Sequence, residues 1–363
     1  MRTKLIFNTR ELINKINSSK EFFEIKENKD SLAIKKRRLT NRGRAFSIEL
    51  PKVIEIFPET LGLIVGEGYI GDRRFVFANS GEKAIVEVIN FLKQFKLPIW
   101  NYLEISVKNK PSSFKNQCKL FWENYLKIKI ERVRIRKEFN NITKHGTIHI
   151  MLNNLLIARL LKEMVDISKR KVEKDRELSK DYMKGIIAAE GNINVKKATN
   201  CVYMVRISAS KKEERDHYKR CLEKIGIRIY CKDMPTVTKK EAKEKGWKTD
   251  KGRAGAVLIN RWENFIKIIQ LELLNLNEDK KKKFFTHFKN NKFTKQFLAF
   301  EYFIDKEFTM KEAQNYFSFS GRHLGRILTL CKQGYITRRK INRVKFGYKL
   351  TDKYKELHSL LKE

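Results

Sequence analysis

Nowhere in these 363 residues do apolar side chains run uninterrupted for the ~18 positions a membrane-spanning helix needs, so no such helix is expected. The opening Met1-Arg2-Thr3-Lys4 reads as the approach to a polar helix rather than a secretory leader. Cysteine is sparse: Cys118, Cys201, Cys221, Cys231 and Cys331 form no CxxC pair. An odd number at irregular spacing argues against a disulfide framework and a zinc site, and for a reducing compartment inside the cell. Acid is what the chain lacks most. Against 80 Lys and Arg stand 42 Asp and Glu, a net charge of +38. Such a charge repels itself unless a polyanion shares the surface. The usual polyanion is nucleic acid, whose phosphates release counterions to Lys and Arg. A ribosomal-type or merely Lys-rich surface is the bland alternative, and an anionic membrane is the other candidate partner.

Apolar residues make up 41% of the chain, with 24 Phe and 12 Tyr, enough for real cores in two or three domains. An internal repeat runs through it. Residues 60–70 read Thr-Leu-Gly-Leu-Ile-Val-Gly-Glu-Gly-Tyr-Ile and residues 183–193 read Met-Lys-Gly-Ile-Ile-Ala-Ala-Glu-Gly-Asn-Ile, identical at five of eleven positions. Each reads as a short helix. Pro58 signals the start of the first, and Ser179 and Asp181 are candidate N-caps of the second. Gly68 and Gly191 are expected to end them in the left-handed conformation. Small residues four apart, Gly62 with Gly66 and Gly185 with Ala189, share one helix face and let two backbones approach. Each helix ends in a glutamate, Glu67 or Glu190, where the helix dipole is already negative. Two such carboxylates brought together want a cation, Mg²⁺ or Mn²⁺.

These residues resemble the LAGLIDADG homing endonucleases, with Leu61 to Gly68 as the first motif and Lys184 to Gly191 as the second. The Asp often found in the motif is Val65 in one copy and Ala188 in the other. Two motifs imply the single-chain form: an α+β protein, active as a monomer, in which a pseudo-twofold pair of αββαββα halves makes a saddle over duplex DNA. The resemblance assigns residues 51–168 to the first half and 169–278 to the second. It implies that Glu67 and Glu190, with the carbonyls of Gly66 and Ala189, hold the metal, and that a basic or amide side chain at the strand end orders water. Asn79 and Ser80 stand there in the first half, and Ser210 and Lys211 in the second, with Lys108 as a substitute from a neighbouring strand. It also places Arg73, Arg74, Lys108, Arg132, Arg134, Arg136, Arg206, Arg228 and Lys232 against DNA, on ribbons that fit the major groove.

Residues 1–50, with Lys35-Lys36-Arg37-Arg38 and Arg42-Gly-Arg44, read as a basic arm that grips phosphates. Within 127–137 the alternation changes phase at Glu131-Arg132, which suggests a bulge. Residues 290–363 resemble a winged helix-turn-helix. Leu324, Ile327, Leu328 and Cys331 fall at helical spacing, and Val344, Phe346, Tyr348 and Leu350 alternate as a strand. A recognition helix over 320–333 would present Ser320, Arg322, His323 and Arg326, and the wing Arg338, Arg339 and Lys340. The resulting expectation is a Mg²⁺-dependent, site-specific double-strand DNA endonuclease, cytoplasmic and DNA-associated. The alternatives are a non-cutting DNA-binding regulator, since the family scaffold also occurs joined to helix-turn-helix domains, and a maturase acting on intron RNA.

Overall fold

The computed structural model describes residues 3–17, 23–36, 47–106, 110–111, 113–136, 144–233, 255–317, 324–343 and 345–362. The chain opens with strand β1 (Leu5–Asn8) and helix α1 (Thr9–Ile16), which Asn8 caps by accepting from the Glu11 amide. Strands β2 (Phe23–Glu27), β3 (Ser31–Lys36) and β4 (Ser47–Pro51) form an antiparallel sheet, and β5 (Val53–Ile56) returns to pair with β1. The segment expected as a basic arm is thus largely folded. Leu32 and Ile34 alternate with exposed or half-buried neighbours, a period-2 pattern that the flanking lysines obscure. Residues 37–46, with Arg37, Arg38, Arg42 and Arg44, lie outside the described residues.

Helix α2 (Pro58–Glu67) leads directly into β6 (Gly68–Ile70) and β7 (Phe75–Asn79). Helix α3 (Glu82–Lys93), strand β8 (Trp100–Ser106), helix α4 (Phe114–Leu126), strand β9 (Arg132–Arg136), strand β10 (Thr147–Leu152) and helix α5 (Leu155–Lys174) follow. The sheet order is β6-β7-β10-β8-β9. The phase change at Glu131-Arg132 is the entry to β9, not a bulge within a longer strand. Asn101 holds that entry, donating to the Lys129 carbonyl and accepting from the Glu131 amide.

The same order returns. Helix α6 (Arg176–Glu190) runs into β11 (Gly191–Lys196) and β12 (Cys201–Ala209), then helix α7 (Lys212–Lys224), β13 (Tyr230–Asp233), β14 (Gly255–Ile259) and helix α8 (Trp262–Gln270). This sheet is ordered β11-β12-β14-β13, position for position the order of the first without its added edge strand. Each sheet has a buried face, with Phe75, Phe77, Leu103, Ile148 and Ile150 in the first and Val205, Ile207, Val257 and Ile259 in the second. Helices α3 and α7 pack against β7 and β14.

The remaining elements are α9 (Glu278–Phe288), α10 (Lys292–Ala299), a 3₁₀ turn (Phe300–Phe303), β15 (Glu307–Thr309), α11 (Met310–Phe317), α12 (Leu324–Lys332), β16 (Ile336–Lys340), β17 (Phe346–Leu350) and α13 (Asp352–Lys362). Strand β17 lies between β15 and β16, antiparallel to both. Phe297, Phe300, Phe303, Phe308 and Tyr354 form the aromatic core here. The Tyr354 hydroxyl donates to the Phe297 carbonyl at 2.8 Å. By internal packing the chain divides into one unit of residues 1–193 and 204–281 and another of 194–203 and 282–363. Among the described residues no helix is long and apolar enough to cross a membrane.

Candidate functional site

Helices α2 and α6 pack on each other more extensively than any other pair of elements. The small residues make this possible. A Cβ on Gly62 would lie 2.9 Å from the Ile186 amide nitrogen and nearer still to the Tyr182 carbonyl oxygen. A Cβ on Gly185 would lie 2.7 Å from the Leu63 nitrogen and nearer still to the Glu59 carbonyl oxygen. Gly66 faces the Ala189 methyl. The helix ends differ from expectation. Gly68 and Gly191 are not left-handed: their φ angles are −78° and −71°, and each amide donates back to the carbonyl four residues earlier, of Ile64 and Ile187. Glycine is needed because a Cβ would strike that same carbonyl oxygen. The N-cap of α6 is Asp175, whose carboxylate accepts from the Leu178 amide at 2.8 Å; Ser179 lies one turn inside, buried, and donates to the Val172 carbonyl.

At the far end of the pair stand Glu67 and Glu190. Burial pushes the Glu67 carboxyl up to about 7 against the pull of Lys280 and Asn79, and the charge of Glu190 adds to the rise. Burial also raises Glu190, opposed by Lys280 and aided by Glu214. The Asn79 amide donates to Glu67 and accepts from the Gly81 amide at 2.6 Å, so the strand-end amide of the first half is oriented at both ends.

The cation common to both glutamates is Lys280, which the sequence reading did not single out. Its ammonium donates to the carbonyls of Ile187, Ala188 and Ala189 at 3.1, 2.6 and 2.9 Å. Burial pushes it down to about 8, with Glu67 and Glu190 pulling the other way. Three carbonyl oxygens around one ammonium favour the charged form further. Asn277 fixes the approach: its side-chain oxygen accepts from the Lys280 amide at 3.0 Å, and its amide donates to the Ala188 carbonyl at 3.4 Å. Lys211 stands exposed immediately before α7. Lys108 lies outside the described residues.

The expected ligands of Mg²⁺ or Mn²⁺ were Glu67, Glu190 and the carbonyls of Gly66 and Ala189. The Ala189 carbonyl already accepts from Lys280. Among the described residues no three His, Cys, Asp or Glu side chains gather as a metal site. His145 and His149 are four apart in sequence, but not on a helix: His145 stacks on Phe121 and His149, in β10, stacks on Tyr102. With the ammonium seated, this donor set does not fit a divalent ion.

The other cluster of candidates lies on the face of the first sheet that its core leaves open. Arg132, Arg134 and Arg136 are exposed on β9 and pair in register with Tyr102, Glu104 and Ser106 of β8. Across β8, Tyr102 and Glu104 pair with His149 and Thr147 of β10. The Arg134 guanidinium lies 4.2 Å from the Tyr102 ring centroid, and Tyr102 stacks on His149 at 4.2 Å. Arg136 pairs with Glu104 at 3.0 Å. On the same face Tyr69 and Trp100 are more than half exposed. Arg73 and Arg74 occupy the exposed turn between β6 and β7, with Arg74 over Tyr69. In the second sheet Arg206 is half-buried on β12 opposite Leu258, which also pairs with exposed Tyr230. Lys232 takes the register position of Ala256. Arg228 is exposed, its backbone held on both sides by Asn264.

In the C-terminal unit Arg338, Arg339 and Lys340 are exposed on β16. Arg338 covers the Phe346 ring at 3.6 Å, and Arg339 pairs with Glu307 at 3.1 Å. Arg326 lies on α12, whereas Ser320, Arg322 and His323 lie outside the described residues.

No protein-family model matches the chain, and no curated protein does. Solved structures that it resembles include the N-terminal LAGLIDADG domain of DUF199/WhiA, at 12% identity and a TM-score of 0.34 over 62% of this chain and 84% of that one. They include mesophilic variants of the homing endonuclease I-DmoI, at 14% identity and 0.33 over 60% and 93%. I-DmoI in complex with DNA and Mn matches at 15% identity and 0.32 over 60% and 95%. Likenesses at these scores carry no functional weight.

Proposed function

We propose that the protein is a sequence-selective binder of duplex DNA, built as a LAGLIDADG-type saddle of two halves with a winged-helix unit at its C-terminus. The observation that carries this reading is the open face of the first sheet, where Arg132, Arg134 and Arg136 stand in register beside Tyr102, Glu104 and Ser106, with His149 in register across Tyr102. A cation row on a ribbon, with the Arg134 guanidinium over the Tyr102 ring, suits phosphates and guanine edges together. The repeated strand order supports the two-half saddle, with Arg206, Arg228 and Lys232 as the second half's contribution. For the winged-helix reading, the support is the succession α10, β15, α11, α12, β16, β17 with β17 central. Residues 51–168, 169–278 and 290–363 remain the proposed domains.

One observation favours a second reading, site-specific cleavage of both DNA strands: two closely packed, matched helices end in Glu67 and Glu190, and the charge of one cation acts on both. Because that cation is Lys280, the seated site supports binding without hydrolysis. One experiment separates the readings. The full chain is incubated with a randomised duplex library and Mg²⁺, and both retained and broken molecules are sequenced. Enrichment of a motif with intact ends is the expected result. Discrete double-strand ends, absent with Glu67→Gln, would establish the nuclease instead. A pool that yields neither a motif nor ends, with structured RNA retained in a parallel incubation, would overturn both in favour of an RNA partner.

A further inference from the structure

We infer that Lys280 is an internal replacement for the divalent cation: its ammonium seals the end of the α2–α6 pair, and removing it opens a metal site at Glu67 and Glu190. The inference goes beyond DNA binding and does not rest on it.

Three observations carry it. An ammonium has three N–H donors. Here the carbonyls of Ile187, Ala188 and Ala189, all in the last turn of α6, accept from it at 2.6 to 3.1 Å. Ile187 already accepts from the Gly191 amide, whereas Ala188 and Ala189 are among the carbonyls that a helix C-terminus leaves without intrahelical partners, and Ala189 is an expected metal ligand. With its donors spent on carbonyls, the ammonium acts on the two carboxylates by charge alone, as a metal would through space, but offers no position for added ligands.

The second observation is that the lysine is placed, not draped. It sits in the first turn of α9, where Asn277 caps its amide and at the same time donates to the Ala188 carbonyl. The cap that starts α9 therefore also grips the end of α6. A lysine from a free surface tail would lack this anchor.

The third is the crowd of acceptors. The cation that three helix-end carbonyls hold also feels the charge of two half-buried carboxylates. A hard divalent ion bound by the same oxygens would sit ~2.0–2.1 Å from them. The ammonium and the ion would have to share the Ala189 oxygen and the space beside it, so occupancy by one excludes the other.

The test is Mn²⁺ binding by the full chain, followed by loss of the free-ion EPR signal, for wild type, Lys280→Ala and the double variant Lys280→Ala with Glu67→Gln. Lys280→Ala is expected to gain one Mn²⁺ site, at least tenfold tighter than any in wild type, and the double variant to lose it. A tight site in wild type that Lys280→Ala does not strengthen would overturn the inference. So would a folded Lys280→Ala protein without a new site. If Lys280→Ala does not fold alone, refolding in Mn²⁺ decides: recovery of the wild-type circular dichroism supports the inference, and failure to recover it contradicts it. DNA affinity, measured in parallel without metal, reports on the proposed function separately.

Discussion

Glu67 illustrates how one residue's surroundings set its chemistry. A carboxylate at a helix C-terminus meets a negative dipole end, and burial removes the water that would compensate. The result is a carboxyl that is about half-protonated near pH 7. Because its folded-state value is raised, its contribution to stability is fully present below about 4.5 and is lost as the pH rises through about 7. Lys280 is lowered to about 8, so it acts only between about 8 and its unfolded value of 10.5, where stability rises with pH. The two windows do not overlap. Denaturant unfolding at pH 5 and pH 7.5 should show wild type losing up to about 3 kcal/mol that the Glu67→Gln variant does not lose. Equal pH dependence in both proteins would show that Glu67 does not titrate in this window. Glu67 and Glu190 were legible in the sequence because the motif repeats around them. Lys280 was not. It lies 90 residues beyond Glu190 in the run Glu278-Asp279-Lys280-Lys281-Lys282-Lys283, which reads as a solvated helix start. The available signal was Asn277, an N-cap residue three positions before a lysine that its helix turns inward.

At the scale of the element, the α2–α6 pair depends on backbone contact that only small residues permit. Gly62→Val and Gly185→Val each force a branched side chain into a neighbouring backbone. Each should cost about 3 kcal/mol or more, the upper range for overpacking. Thermal melts of the full chain check this: both variants should melt several degrees lower, whereas Asp72→Ala, at an exposed turn position, should change little. A wild-type melting temperature for Gly62→Val would show that the helices are not in close contact. The glycine spacing made this pair readable. Its ends were misread, because a glycine after a helix is more often a left-handed cap, and nothing local announces that the chain turns straight into a strand. The start of α6 was misread for a similar reason. Ser179 and Asp175 are both good caps, and tertiary packing of α5 against α6 chose Asp175. A strand with clean alternation, β17 with Phe346, Tyr348 and Leu350, was legible. Strand β15, three residues long, and the described strands between residues 5 and 51 were not, since short strands among lysines carry little periodic signal.

For the whole molecule, charge dominates. A chain at +38 with basic side chains on two open sheet faces and on β16 should bind DNA with a steep dependence on salt. If six or more phosphates are neutralised, the logarithm of affinity should fall against the logarithm of salt concentration with a slope of about −5 or steeper. A slope shallower than about −2 in a titration from low to physiological salt would mean that most of these side chains do not meet the duplex. Charge alone gives affinity for any polyanion. Selectivity has to come from the arginines held in register on β9 and from their aromatic neighbours, and this is the part that the sequence left open, because β9 reaches its partner β8 only through a parallel pairing across α4.

The measurement that tests this account most directly is equilibrium binding to the best duplex recovered from a randomised pool, for wild type and for the Arg132→Ala/Arg134→Ala/Arg136→Ala variant, at physiological salt. Loss of three guanidiniums that meet base edges and phosphates should weaken specific binding by about 100-fold or more while non-specific binding falls far less. Unchanged affinity and unchanged preference in the triple variant would contradict the assignment of this sheet face to DNA.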